Sequence, residues 1–307
     1  MEENKQANFR SGYAAVVGRP NVGKSTLINS LLGQKIAAVS SKPQTTRLKQ
    51  LGILTTPDAQ IVLIDTPGIH LPRHKLGKGM NALAEEALRD ADIVIWLVDA
   101  NVVPHPEDEL ITQKLSSLRE LPPVLQVLNK IDLLSEGELD KRREEYAALY
   151  PRVDQLAVSA KQGVGIEDVV SFIKEKLSEG APFYPLDQVT DYYEREIAAD
   201  LIREAALERL RDEVPHAIAV RIDEYQERND TGAFISATMF VEKDSQKGIV
   251  IGKGGTMLKS IGTGARRAIE AMSSRKVFLE LRVKVNKNWR SNRDFLKQMG
   301  YEDLGEE

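Results

Sequence analysis

The stretch Gly18-Arg-Pro-Asn-Val-Gly23-Lys24-Ser25 constrains this chain more than any other feature. It fits the pattern G-x-x-x-x-G-K-[ST], which works as a turn between a strand and a helix. The apolar run 13–17 precedes it, and 24–32 follows with helical spacing, so both flanks are present. Glycines let backbone N–H groups wrap an anion without Cβ clashes, and the helix N-terminus faces the negative charge. The expected phosphate contacts are Gly18, Arg19, Pro20, Asn21, Val22, Gly23, Lys24, Ser25 and Thr26. Lys24 is expected to reach the β- and γ-phosphates, and Ser25 to offer its hydroxyl to Mg2+. A glycine turn with a solvated lysine is the bland alternative, and it leaves both flanks unexplained.

Apolar runs of strand length recur at 51–55, 61–64, 93–98, 124–128 and 156–158. Helix-spaced segments at 80–89, 106–120, 136–149 and 166–177 lie between them. That alternation predicts a doubly wound, mostly parallel α/β sheet. Asp65-Thr66-Pro67-Gly68 closes one strand, in the crevice where such sheets bind ligands. Asp65 is expected at Mg2+ and Gly68 at the γ-phosphate. Asn129-Lys130-Ile-Asp132 closes another. A carboxylate accepts from guanine N1–H and its exocyclic amine, and adenine offers no such pair. Asp132 therefore predicts GTP over ATP, since a mismatched base leaves buried groups unpaired. Asn129 would brace the loop, Lys130 would cover the base, and Ser159-Ala160-Lys161 would supply an N–H to the guanine oxygen.

The polar loop 40–47 holds Thr45 and Thr46. A threonine there completes a Mg2+ shell only while the γ-phosphate is bound, which makes the loop a switch; Thr46 is favoured over Thr45. Lys24, Thr46 and Gly68 are the expected catalytic groups, and Ser25, Thr46 and Asp65 the metal ligands. His70 and His74 are four apart but have Pro72 between them and no third ligand in sequence, so both read as surface histidines.

The chain has no cysteine, which excludes a thiol nucleophile, a thiolate zinc site and a disulfide scaffold. The first twelve residues are polar and read as no signal peptide, and no apolar run approaches the ~20 residues of a membrane helix. Net charge is −4, but it is uneven. Residues 251–290 hold ten Lys or Arg against two Glu. That basic excess predicts an anionic partner.

Residues 179–191, with two prolines and no helical period, read as a linker between a domain at 11–178 and another at 192–290. The first ten residues form a polar segment, and 291–307 a last helix and acidic tail. The second domain reads helix, strand, strand, helix, strand. Its glycine turn, Gly252-Lys253-Gly254-Gly255, is taken as a strand-to-helix turn after the second strand, with 249–251 as its apolar lead-in. Such a turn lets a nucleic-acid backbone approach closely. Gly252, Lys253, Gly254, Gly255, Lys259 and Arg266 are the expected RNA contacts. A solvated basic helix face is the bland reading of the same residues.

With these motifs in order, the first domain resembles the P-loop GTPases, through Gly18–Ser25, Gln44-Thr-Thr-Arg47 and Asp65–Gly68. The second resembles a KH domain of type II, an α+β fold. The whole chain resembles the Era-type GTPases. The resemblance implies GTP as substrate, GDP as product, Mg2+, and in some relatives K+ near Asn21. It implies slow turnover, since Ile69 stands where other GTPases carry a catalytic glutamine. It also implies binding of the 3′ end of 16S ribosomal RNA, a role in assembling the 30S subunit, and a cytoplasmic monomer with weak attachment to the inner face of the membrane. The alternative is a regulatory GTPase whose KH-like domain docks a protein or membrane partner.

Overall fold

Strands covered on both faces show no alternation of polar residues, and two segments of this chain are apolar over their whole length. They form β3 (Ala59–Asp65) and β4 (Ile93–Asp99), each buried along all seven residues. A computed structural model describes residues 9–39, 46–72, 74–151, 153–229 and 231–301 of the chain. The described residues divide into two compact units. One holds those within 1–35, 46–71 and 80–191; the other holds those within 36–45, 72–79 and 192–307.

The first unit adds β1 (Arg10–Val17), β2 (Gln50–Thr55), β5 (Val124–Asn129) and β6 (Asp154–Val158) to a six-stranded sheet of order β2-β3-β1-β4-β5-β6. All pairs are parallel except β2 with β3. Five helices cover it: α1 (Lys24–Leu32), α2 (Lys75–Asp90), α3 (Pro106–Ser116), α4 (Glu138–Leu149) and α5 (Ile166–Lys176). Ala84, Leu88, Ile111, Leu115 and Tyr146 of α2, α3 and α4 pack on Val62, Trp96 and Val98 of the sheet. Strand order reverses at β1, so the loops at the carboxyl ends of β1 and its neighbours open into one crevice. Gly18, Asp65, Asn129 and Ser159 all lie at such strand ends.

Segment 179–191, expected as a linker, is bonded to this unit. Gln60 Oε1 accepts from the Phe183 and Tyr184 N–H groups at 2.7 and 2.9 Å. Ile53 donates to Val189 at 2.7 Å, and Asp191 accepts from Leu51 at 2.9 Å.

The second unit holds α6 (Glu194–Arg209), β7 (Ala219–Asn229), β8 (Gly232–Val241), α7 (Asp244–Ile251), α8 (Thr256–Ser273), β9 (Lys276–Val285) and α9 (Arg293–Gln298). β8 lies centrally, antiparallel to β7 and parallel to β9. α6 and α8 pack on one face, where Ile202, Ala206, Ile261, Ala265 and Ile269 meet Ile235, Ala237 and Met239. The sequence reading lacked α7, so the order is helix, strand, strand, helix, helix, strand. Residues 249–251 are helical, and the glycine turn joins two helices rather than a strand to a helix. β-branched residues at 249–251 favour a strand locally, but Gln246 accepts from the N–H groups of Glu242 and Lys243 at 2.9 and 3.1 Å and caps a helix, and Val250 is buried in the core.

Candidate nucleotide and nucleic-acid sites

The loop after β1 fits its neighbours only because three glycines lack side chains. A Cβ on Gly18 would stand 2.4 Å from the Leu97 carbonyl, and one on Gly23 would stand 2.4 Å from Asn129 Nδ2. A Cβ on Gly68 would stand 2.7 Å from the Pro20 nitrogen. The loops after β1, β3 and β5 therefore interlock at van der Waals contact. Gly23 is left-handed at φ 104°, immediately before α1. Its conformation turns the chain from cradle into helix.

Lys24 is buried, and its Nζ donates to the carbonyls of Gly18 and Arg19, both at 3.1 Å. Burial lowers its pKa to about 8, and the nearby Asp65 charge offsets part of that. Ser25 Oγ donates to Asp65 Oδ2 at 3.0 Å, Thr46 Oγ1 does the same at 3.0 Å, and the two hydroxyls lie 2.8 Å apart. Three hard oxygens thus converge beside Lys24, a donor set that fits a magnesium ion retaining several of its waters. Thr46 is the threonine brought to this cluster; Thr45, Gln44 and the rest of 40–45 lie outside the described residues.

Asn129 joins two loops through one amide. Its Nδ2 donates to the Val22 carbonyl at 2.8 Å, and its Oδ1 accepts from Ala160 N–H at 3.0 Å. Lys130 adopts a left-handed backbone at φ 69°. Its Nζ donates to the Asn21 carbonyl at 2.7 Å and to Asp99 Oδ2 at 2.6 Å, which lays its stem along the loop. Asp132 is half-buried, and its Oδ1 accepts from Ser159 Oγ at 2.6 Å. That bond fixes the carboxylate and leaves it lone pairs to use. Ala160 is buried and Lys161 exposed. Thr66 donates to the Val16 carbonyl at 2.7 Å, Pro67 is buried beside it, and Thr26 sits half-buried in the first turn of α1.

Two neighbours were not legible in the motifs. Asp99, at the end of β4, holds Lys130. Asp108, buried in the first turn of α3, lies 3.4 Å from Arg19 Nε, and burial raises its pKa. The motif positions alone give no signal for either. The expectation that His70 is a surface residue is corrected: it is 8% exposed. Its Nδ1 lies 2.8 Å from the Gly68 carbonyl, and Asn81 brackets its backbone N–H and carbonyl at 3.3 and 2.7 Å. Asn81 on α2 thereby pulls the chain after Gly68 inward. Ile69 is wholly buried in the core.

In the second unit, Gly252, Gly254 and Gly255 all have positive φ, and Cβ atoms on the last two would meet nothing within 4 Å. The turn is thus open to an approaching backbone and stands before the N-terminus of α8. Beside it a groove of about 370 Å³ runs between α8 and β9, lined by Gly255, Leu258, Lys259, Gly262, Thr263, Arg266, Leu279 and Leu281. Lys253 and Lys259 are exposed, and Arg266 shares its charge with Glu270 at 3.4 Å. Of the groove residues, Leu258, Gly262 and Thr263 on α8 lie outside the expected RNA contacts, as do Leu279 and Leu281. Alternation along β9 would have placed them on one face, although not against α8. Among the described residues no cluster of three or more His, Cys, Asp or Glu could hold a metal, and no helix is long and apolar enough to cross a membrane.

A family model described as a 50S ribosome-binding GTPase matches residues 13–130, and a KH-domain model matches 213–290. The chain is 47% identical over 294 residues to GTPase Era of Geobacter metallireducens, covering 95% of this chain and 98% of that protein. Two solved structures are each 38% identical, over 95% of this chain and 99% of theirs. One is Era in complex with MgGDPNP and nucleotides 1506–1542 of 16S ribosomal RNA, at a TM-score of 0.89. The other is a single-residue variant of Aquifex aeolicus Era bound to GDP·AlF4−, at 0.90.

Proposed function

The chain belongs to the Era family of GTPases, and from that premise we propose a GTP-hydrolysing switch that binds 16S ribosomal RNA through its KH domain. The observation that carries the reading is the meeting of Ser25, Thr46 and Asp65 oxygens within 3.0 Å beside the buried Lys24. The 18–25 backbone and α1 bind the phosphates, and Lys24 leaves its carbonyl partners to neutralise them. Ser25, Thr46 and Asp65 would hold Mg2+, which would offset the negative charge that develops on the phosphates. Thr46 and Gly68 report the γ-phosphate, the one with a hydroxyl and the other with its N–H. Asp132, held by Ser159, accepts from guanine, and Asn129 fixes the loops on either side. The buried Ile69 offers no hydrogen bond to an attacking water, which supports slow intrinsic turnover.

The KH groove, with Lys253, Lys259 and Arg266 beside the open glycine turn, supports clamping of single-stranded RNA. The wider domain family is described by the 50S particle, but the solved relative holds RNA of the small subunit. We accordingly place this chain's action in assembly and maturation of the 30S subunit, as a cytoplasmic monomer touching the membrane weakly through its basic segment. Titrating RNA at rising salt tests the RNA part. Phosphate contacts predict a steep linear fall of log affinity with log salt, and a flat response would favour protein docking.

A further inference from the structure

β9 serves two faces. Leu279 and Leu281 line the groove, so Phe278 and Arg282 point to the opposite side of the sheet. There Phe278 lies in register with Phe234 of β8, with ring centroids 5.8 Å apart and planes 18° apart. The Arg228 guanidinium sits 5.1 Å from the Phe234 centroid. Phe278 is 63% exposed, although the inward residues of β8 already fill the core. The other end of the same face is covered, since Phe240 packs edge-on against Phe295 of α9 at 5.0 Å. The covering stops short of the phenyl pair.

We propose that Phe278 and Phe234 form a second RNA subsite, a stacking platform for a base of the strand that leaves the groove over β9. The proposal rests on the RNA-binding reading above. Charge favours this occupant. Arg228 lies over Phe234, and Lys276 is exposed two residues from Phe278 on the same side of β9. Of the three carboxylates of that face, Glu280 pairs with Arg282 and Asp223 with Arg221, each at 2.8 Å, and Glu224, in register with Ser236, is exposed. A flat π surface flanked by Arg228 and Lys276 suits a nucleobase with its phosphate, and base–aromatic stacking tolerates any sequence. A KH groove takes about four nucleotides, so only a longer strand reaches the platform.

The test is the affinity of the full chain for nested single strands, about four to twelve nucleotides long, cut from the 3′ end of 16S ribosomal RNA. Wild type should bind long strands more tightly than the shortest strand it binds. Phe278→Ala should lose about tenfold on the long strand, leave the shortest unchanged and keep its melting temperature. Phe278→Trp should restore the gain. An equal loss on short and long strands, or no loss on either, overturns the platform and leaves the groove reading standing. Protein capture lost in Phe278→Ala without any RNA effect also overturns it, in favour of a protein dock. Wild type binding no strand of any length overturns the RNA reading, and the platform with it.

Discussion

Lys24 carries a charge into a place where charge is expensive, and the nucleotide is what relieves it. Its pKa of about 8 in the free protein must rise when phosphates bind, because an adjacent anion favours the charged form. Binding is thus coupled to proton uptake. GTP affinity should be flat below pH about 8 and fall up to tenfold per unit between about 8 and 9, while guanosine, which has no phosphate, should not follow over that range. Calorimetry across pH about 7 to 9 in buffers of different ionisation heat reads both. Asp132 gives a sharper test. In Asp132→Asn the amide donates where the carboxylate accepted, so GTP should lose at least about a hundredfold in affinity. Xanthosine triphosphate, whose ring carries a carbonyl in place of the exocyclic amine, should gain. Competition against a fluorescent guanine nucleotide separates these outcomes.

At the scale of elements, the glycine turn is the most informative place to test. A side chain at Gly254 meets open space, and its φ of 61° is one that Asp tolerates. Gly254→Asp should fold with a melting temperature within a few degrees of wild type yet lose more than about tenfold in RNA affinity, from repulsion at a site built for phosphate. Thr46→Val keeps the shape and removes one oxygen of the Ser25–Asp65 cluster. It should weaken a GTP analogue in Mg2+ about tenfold and leave GDP unchanged. The first-unit elements were legible because each motif needs a fixed strand-to-loop context, and β1, β3, β5 and β6 supply it. The brace role of Asn129 followed from its place in the turn. Asp108 and Asp99 were not legible, since a buried carboxylate that anchors Arg19 or Lys130 has no local pattern. α7 was not legible because Ile249, Val250 and Ile251 are β-branched, and the cap at Gln246 and burial of Val250 decide the matter instead. His70 read as surface because Asn81, which draws it inward, is eleven residues away.

At the scale of the whole molecule, two binding events meet in one chain. We propose that GTP binding raises RNA affinity and that hydrolysis lowers it. Linkage then requires RNA to favour GTP over GDP by the same factor. The most direct test measures the dissociation constant of a 3′-end 16S RNA strand with a non-hydrolysable GTP analogue and with GDP, and then the two nucleotides' constants with and without that RNA. RNA should bind more tightly in the analogue state, with equal ratios around the cycle. RNA bound equally tightly in both nucleotide states would contradict it.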